Sequence, residues 1–190
     1  MVEIRSPLET KVILGRHGAG DTPGVTLGAR LLNGLWQVAG WDTLDSAAAP
    51  VLNALGLQTL GDYRMAQRIG NIIAWRIAPD KLLIEGSGDL GPYASSDLTV
   101  LDLSHARVVI ALGGPTARDL LSQVVAINVA QTAFKAGEFR QTGIHGVGVL
   151  LDCIGEDRFE IFVPSSWAES VWDVLYDNAL SHGVSITERV

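Results

Sequence analysis

Residues 102–121, DLSHARVVIALGGPTARDLL, run from Asp-Leu-Ser-His through an apolar, β-branched stretch to Gly-Gly-Pro and then into a helical pattern. A glycine-rich turn between a strand and a helix is a common place for phosphate, because free amides and the helix dipole favour an anion there. A phosphate-binding loop of that kind needs further glycines and a Gly-Lys-Ser/Thr end, and a dinucleotide site needs G-x-G-x-x-G; both are absent here. Pro115 removes one amide from the helix start, although Arg118 could supply charge one turn in. The turn therefore reads as a joint, with glycine allowing unusual backbone angles and Pro115 opening the helix. A small-ligand site spanning Gly113–Arg118 is the alternative. Upstream, Asp102 is placed to bond the turn that follows it, and His105 reads as a turn histidine. The residues expected at turns or at a subunit interface are His105, Arg107, Gly113, Gly114, Pro115 and Arg118.

Downstream, Ala117, Leu120, Leu121 and Val124 form one buried helix stripe. After a connection at 128–139, the segments 139–145, 147–154 and 158–163 predict three strands. Ser166 and Glu169 have capping-box spacing, and Ala168, Val171, Trp172, Leu175 and Ala179 form the core face of a last helix closed by Gly183. Upstream, GLWQVAGW at 34–41 predicts a strand, followed by a helix over 46–55 with N-cap side chains among Thr43 to Ser46. Ala48, Val51, Leu52 and Leu55 lie on one face of that helix, and Pro50 restricts its start to about Ser46. Residues 71–86 hold two apolar runs around Ala-Pro-Asp-Lys, a β-hairpin signal, and 99–104 and 106–114 predict further strands.

The element order is a loose β-α-β-β repeat, and antiparallel hairpins with helices on one face imply an α+β fold. The expected organisation is an extended or partner-ordered N-terminal arm at 1–33 and a single α+β domain at 34–190, built from halves at 34–97 and 98–190.

The net charge of −7 argues against nucleic acid and an anionic membrane surface as partners. No apolar run approaches the ~20 residues of a membrane-spanning helix, and the opening MVEIRSPLETK lacks a secretory pattern, so a cytoplasmic setting is expected. Cys153 is the only cysteine and lies in the apolar run VLLDCI, as a buried inert thiol would. No two of His17, His105, His145 and His182 have metal-ligand spacing. Charged residues make up only 18% of the chain and there are five tryptophans, which suggests apolar surface covered by partners.

Four segments together resemble a known family: IAWRIAPDKLLI at 73–84, DLSHARVVIALGGPTARDLL at 102–121, AFKAGEFRQTGIHGVGVLL at 133–151 and FEIFVPSSWAESVWDVL at 159–175. The chain resembles the gamma subunit of heterotetrameric sarcosine oxidase. That resemblance implies a fold like the folate-binding domain of the aminomethyltransferases. It also implies a noncatalytic chain without cofactor or metal, assembled with alpha, beta and delta subunits. FAD, FMN, NAD, zinc and tetrahydrofolate are then expected on those partners. The complex would oxidatively demethylate sarcosine to glycine, releasing formaldehyde or methylene-tetrahydrofolate, with hydrogen peroxide formed. An equivalent subunit of an N-methyl amino acid dehydrogenase, such as N-methylglutamate dehydrogenase, is an alternative. So is a stand-alone folate-binding one-carbon protein, with Asp102 the candidate to hold the pterin.

Overall fold

The computed structural model describes residues 6–20, 22–30, 32–41 and 44–187. In chain order the first elements are β1 (Gly15–His17), β2 (Val25–Arg30), β3 (Leu35–Gly40), α1 (Leu44–Ala47), α2 (Ala49–Ala54), β4 (Gln67–Ile69), β5 (Ile72–Ala78), β6 (Lys81–Glu85) and β7 (Leu98–Asp102). There follow β8 (Arg107–Gly113), α3 (Ala117–Val124), β9 (Phe139–Ile144), β10 (Val147–Gly155), β11 (Arg158–Pro164), α4 (Ala168–Ala179) and β12 (Val184–Ile186). The fold is α+β, with strand pairs antiparallel except β12 against β2. No helix among the described residues is long and apolar enough to cross a membrane.

The chain divides into two units, one of residues 32–106 and the other of residues 1–31 and 107–190. The smaller is a five-stranded sheet in the order β4-β5-β6-β3-β7. Its helices α1 and α2 bury Leu44, Val51 and Leu52, in one cluster with Val38, Ala74, Leu82, Ile84 and Leu98 of the strands. The expected 46–55 helix is broken at Ala48, because Pro50 has no amide to continue the ladder. The Thr43 capping expectation lies outside the described residues. The β5–β6 hairpin forms as its Pro79-Asp80 turn predicts, with Ile73 opposite Glu85 and Trp75 opposite Leu83.

The larger unit is a seven-stranded sheet in the order β1-β12-β2-β8-β11-β10-β9. Helices α3 and α4 contribute Leu120, Leu121, Val171, Trp172 and Leu175 to a core shared with Leu27, Ile110, Leu151, Phe159 and Ile161. Strand β8 buries Val109 as well as Val108 and Ile110, which is why its sequence reads as a continuous apolar run rather than an alternation.

Three expectations are corrected here. Residues 25–30, placed in an N-terminal arm, form β2 between β12 and β8, with Leu27 opposite Leu112 and both buried. Val25, Leu27 and Ala29 do alternate with polar or small neighbours, but Gly24 and Gly28 interrupt the pattern and hide the strand. Second, β7 pairs with β3, so residues 98–106 complete the first unit and the division falls at Arg107, not at 97/98. Third, Ser166 caps nothing: after Pro164 the chain makes a 3₁₀ turn over Ser165–Trp167, and α4 starts at Ala168 without a side-chain cap.

Candidate functional site

The Gly113-Gly114-Pro115 turn leaves the sheet where β8 is paired on both sides, Gly113 lying opposite Arg158 of β11 and Thr26 of β2. Gly114 has φ +110°, a conformation that only glycine adopts freely. A Cβ placed on it would stand 2.5 Å from the Gly24 carbonyl oxygen and 3.1 Å from Val25 Cα, so the backbone at 24–25 occupies the space a side chain would need. Three amides of the turn are engaged. Gly114 N donates to Asp157 O at 3.2 Å, Thr116 N to Gly24 O at 3.0 Å and Ala117 N to Gly114 O at 3.0 Å, while Pro115 has no amide. The helix begins at Ala117, two residues later than Pro115 at the first helical position would give. These three donors tie the turn to the β10–β11 turn, the approach to β2 and the start of α3.

Arg118 is the second residue of α3 and its guanidinium is spent on the same unit. Nη1 donates to Val129 O at 2.6 Å and Phe134 O at 3.1 Å, Nε to Asp157 Oδ1 at 2.9 Å, and Nη2 also to Glu156 O. The guanidinium carbon lies 5.0 Å from the Phe159 ring centroid, and only 13% of the side chain is exposed. This arginine staples the connection at 129–134 and the β10–β11 turn to α3. Cys153, near Arg118 Nη2, is buried; burial pushes its thiol up, outweighing the lowering effect of Arg118, and its Sγ donates to Gly155 O.

Asp102, Ser104 and His105 belong to the five-stranded unit, and Arg107 opens β8 of the other. Asp102 Oδ1 accepts from Ser104 N at 2.9 Å and from the Ser104 hydroxyl at 2.6 Å, and Ser104 Oγ in turn accepts from Leu35 N at 3.0 Å. The hydroxyl thus donates directly to the carboxylate, a turn-closing arrangement and not a nucleophile–histidine one. The Ser104 hydroxyl, with its amide second, holds the Asp102 carboxyl below its ordinary 3.8. A lowered folded value means the ionised form stabilises the fold above the unfolded value, and this contribution is lost as pH falls through the lowered one. Because the group is well solvated, the effect is small. Asp102→Asn is expected to cost about 0.5 kcal/mol at neutral pH, and the difference from wild type should shrink on acidification below pH 3.8 when followed by urea midpoints. His105 is exposed in the turn between β7 and β8. Arg107 donates to Phe162 O at 3.3 Å, and burial lowers its guanidinium pKa.

His145 has φ +50° at the β9–β10 tip. Trp75 and Trp172 are core residues, whereas Trp41 and Trp167 are 84% and 54% exposed. Among the described residues no group of three or more His, Cys, Asp or Glu is placed to hold a metal ion. A concavity of about 340 Å³ lies beside Arg16, His17, Gly18 and Gly183. Its lining residues come from segments more than a hundred residues apart, which no local sequence pattern connects.

The GCVT N-terminal domain family matches residues 85–187. Curated relatives are aminomethyltransferases. The one from Thermotoga petrophila is 25% identical over 119 residues, covering 56% of this chain and 32% of its own. That from Exiguobacterium sibiricum is 32% identical over 91 residues, covering 46% of this chain and 25% of its own. The chain thus spans about a third of the length of the curated relatives it matches. Among solved structures, a chain of the heterotetrameric sarcosine oxidase from Corynebacterium sp. U-96 superposes with TM-score 0.79 at 21% identity, covering 94% of this chain and 96% of that one. The glycine cleavage system aminomethyltransferase T from Bartonella henselae superposes with TM-score 0.59 at 18% identity, covering 88% of this chain and 48% of that one. Both likenesses concern the fold.

Proposed function

The chain belongs to the GCVT N-terminal domain family, and from that premise we propose that it is the noncatalytic gamma subunit of a multi-subunit, flavin-dependent sarcosine oxidase. The complex takes sarcosine, oxygen and water to glycine, formaldehyde and hydrogen peroxide, or passes the methyl carbon to tetrahydrofolate as methylene-tetrahydrofolate. FAD, FMN, NAD, zinc and tetrahydrofolate sit on the alpha, beta and delta partners, and the assembly is cytoplasmic. The observation that carries this reading is the end-to-end correspondence with one chain of a heterotetrameric sarcosine oxidase, 94% of this chain on 96% of the other. The aminomethyltransferase structure is matched over only 48% of its length. Two features of the chain agree. The polar groups of the Gly-Gly-Pro turn and Arg118 are consumed in holding the fold. Large apolar side chains such as Ile13 and Trp41 stand exposed, as they would on a chain made to be covered.

The experiment is expression of the chain alone and together with its neighbouring genes, then size-exclusion chromatography with a flavin absorbance trace. Co-elution with large yellow partners is expected; a colourless, monodisperse monomer under both conditions would count against the subunit role. The family match to aminomethyltransferases favours a second reading, a stand-alone folate-binding one-carbon protein. Saturable tetrahydrofolate binding by the isolated chain, lost in Asp102→Ala, would select it.

A further inference from the structure

Asn33-Gly34 is the only Asn-Gly pair in the chain; Asn53, Asn71, Asn128 and Asn178 precede Ala, Ile, Val and Ala. The pair lies just before β3, within the five-stranded unit. Asparagine is chemically labile, and a following glycine exposes it most, because no side chain keeps the glycine nitrogen from the asparagine amide carbon.

An Asn-Gly pair also builds turns, and Gly34 has φ +72°. A turn asparagine, however, bonds its side chain to nearby backbone. Asn33 does not: it is exposed, and among the described residues its side-chain amide has no hydrogen-bond partner. By contrast, Asn71 Nδ2 donates to Gly86 O at 3.3 Å, Asn178 Nδ2 donates to Val174 O at 2.7 Å, and Asn128 Oδ1 accepts from Ala130 N at 2.9 Å. Asn53 sits in α2, where the helical ladder fixes its backbone.

The main chain at 33–34 is held while the two reacting groups are free. Asn33 N donates to Glu85 Oε1 at 3.4 Å, and Gly86 N donates to Asn33 O at 3.1 Å and Gly34 O at 3.2 Å. Gly34 N has no acceptor among the described residues. The bond from Gly86 falls on the carbonyl of the same peptide unit that contains Gly34 N. It polarises that unit and eases loss of the Gly34 amide proton, which ring closure requires. Gly34 itself is fixed by the fold, since a Cβ there would lie 3.2 Å from Ser87 O at a positive φ.

We propose that Asn33 is a site of spontaneous deamidation whose product weakens the β3–β6 pairing. Gly34 N attacks Asn33 Cγ, the Cγ–Nδ2 bond breaks, and ammonia leaves with the proton that Gly34 N gave up. Water then opens the succinimide at either carbonyl, giving aspartate or isoaspartate at position 33. One water enters, one ammonia leaves, and nothing is oxidised or reduced. Either product carries a carboxylate at the residue whose amide meets Glu85, which is 3% exposed, and like charges repel. Isoaspartate also adds a methylene to the main chain and displaces the two carbonyls that Gly86 N holds. The β3–β6 pair starts at the next residue, with Leu35 opposite Glu85.

The test ages the full chain at mildly alkaline pH, folded and, in parallel, unfolded in urea. Peptide mass spectrometry follows the exchange of NH2 for OH at each asparagine, and enzymatic methylation reports isoaspartate. In the folded chain Asn33 should convert about tenfold or more faster than each of the other four, and faster as pH rises. Asn33→Gln should release no ammonia from this position over the same period. Asn33→Asp, which carries the product side chain, should unfold at a lower urea concentration than wild type. Conversion of Asn33 in urea but not in the folded chain would mean that the fold protects it, and the proposal fails. Conversion no faster than at Asn53 overturns it equally. An Asn33→Asp chain as stable as wild type overturns the effect on the β3–β6 pairing.

Discussion

Gly114→Val is expected to destabilise the chain by about 4 kcal/mol, adding a strained positive φ to the cost of forcing atoms into occupied space. Gly114 has φ +110°, and a Cβ there would press on Gly24 O at 2.5 Å. Relief would require the backbone at 24–25 to retreat, and with it β2, which is bonded to β8 over Thr26–Arg30. Against a typical stability of roughly 5–15 kcal/mol, most of the folded population would be at risk at elevated temperature. Gly148→Val is the control: this glycine lies in β10 with open space around its Cβ position and ordinary φ, so the change should stay within about 0.5 kcal/mol. Urea denaturation of the pair decides the matter. A Gly114→Val chain as stable as the control would refute the joint, and one that folds and assembles while losing a ligand would restore a binding role to the turn.

Arg118→Ala is expected to cost about 3 kcal/mol, the range for removing one partner from a partly buried charged network. The loss strips Val129 O, Phe134 O and Glu156 O of a donor at once and leaves Asp157 without its cation. Arg118→Lys should recover little, because a point charge cannot span carbonyls on two loops or lie flat on Phe159. The measurement is again a urea midpoint, paired with titration of inorganic phosphate into wild type. Unchanged stability with altered phosphate affinity would mean that Arg118 serves a ligand.

The parts of the fold legible in the sequence are those where one pattern runs uninterrupted. The α4 stripe of Ala168, Val171, Trp172, Leu175 and Ala179 is fully buried as its spacing predicts. The β10–β11 hairpin follows from two apolar runs around Gly155, Glu156 and Asp157. Short strands were not legible: β4 and β12 have three residues each, too few for any period, and owe their existence to the neighbours they pair with. Local signals also lost to tertiary ones. Ser166 and Glu169 have capping-box spacing, yet the exit of β11 through Pro164 sends the chain into a 3₁₀ turn first. The candidate site divides the same way. Asp102 and Ser104 meet across two residues, so their turn could be foreseen. The partners of Arg118 lie 11 to 39 residues away, and nothing in the local pattern marks Val129, Phe134 or Asp157 as theirs.

Low charge and the exposed Trp41 and Trp167 are what the proposed subunit role requires of a chain covered by partners. The most direct measurement is the molar ratio of this chain to flavin in material purified through a tag on the chain from cells expressing it with its neighbouring genes. A fixed ratio across the chromatographic peak, with sarcosine-dependent hydrogen peroxide formation in the same fractions, is the expected result. A flavin-free peak at the mass of the chain alone, with peroxide formation eluting elsewhere, would contradict it.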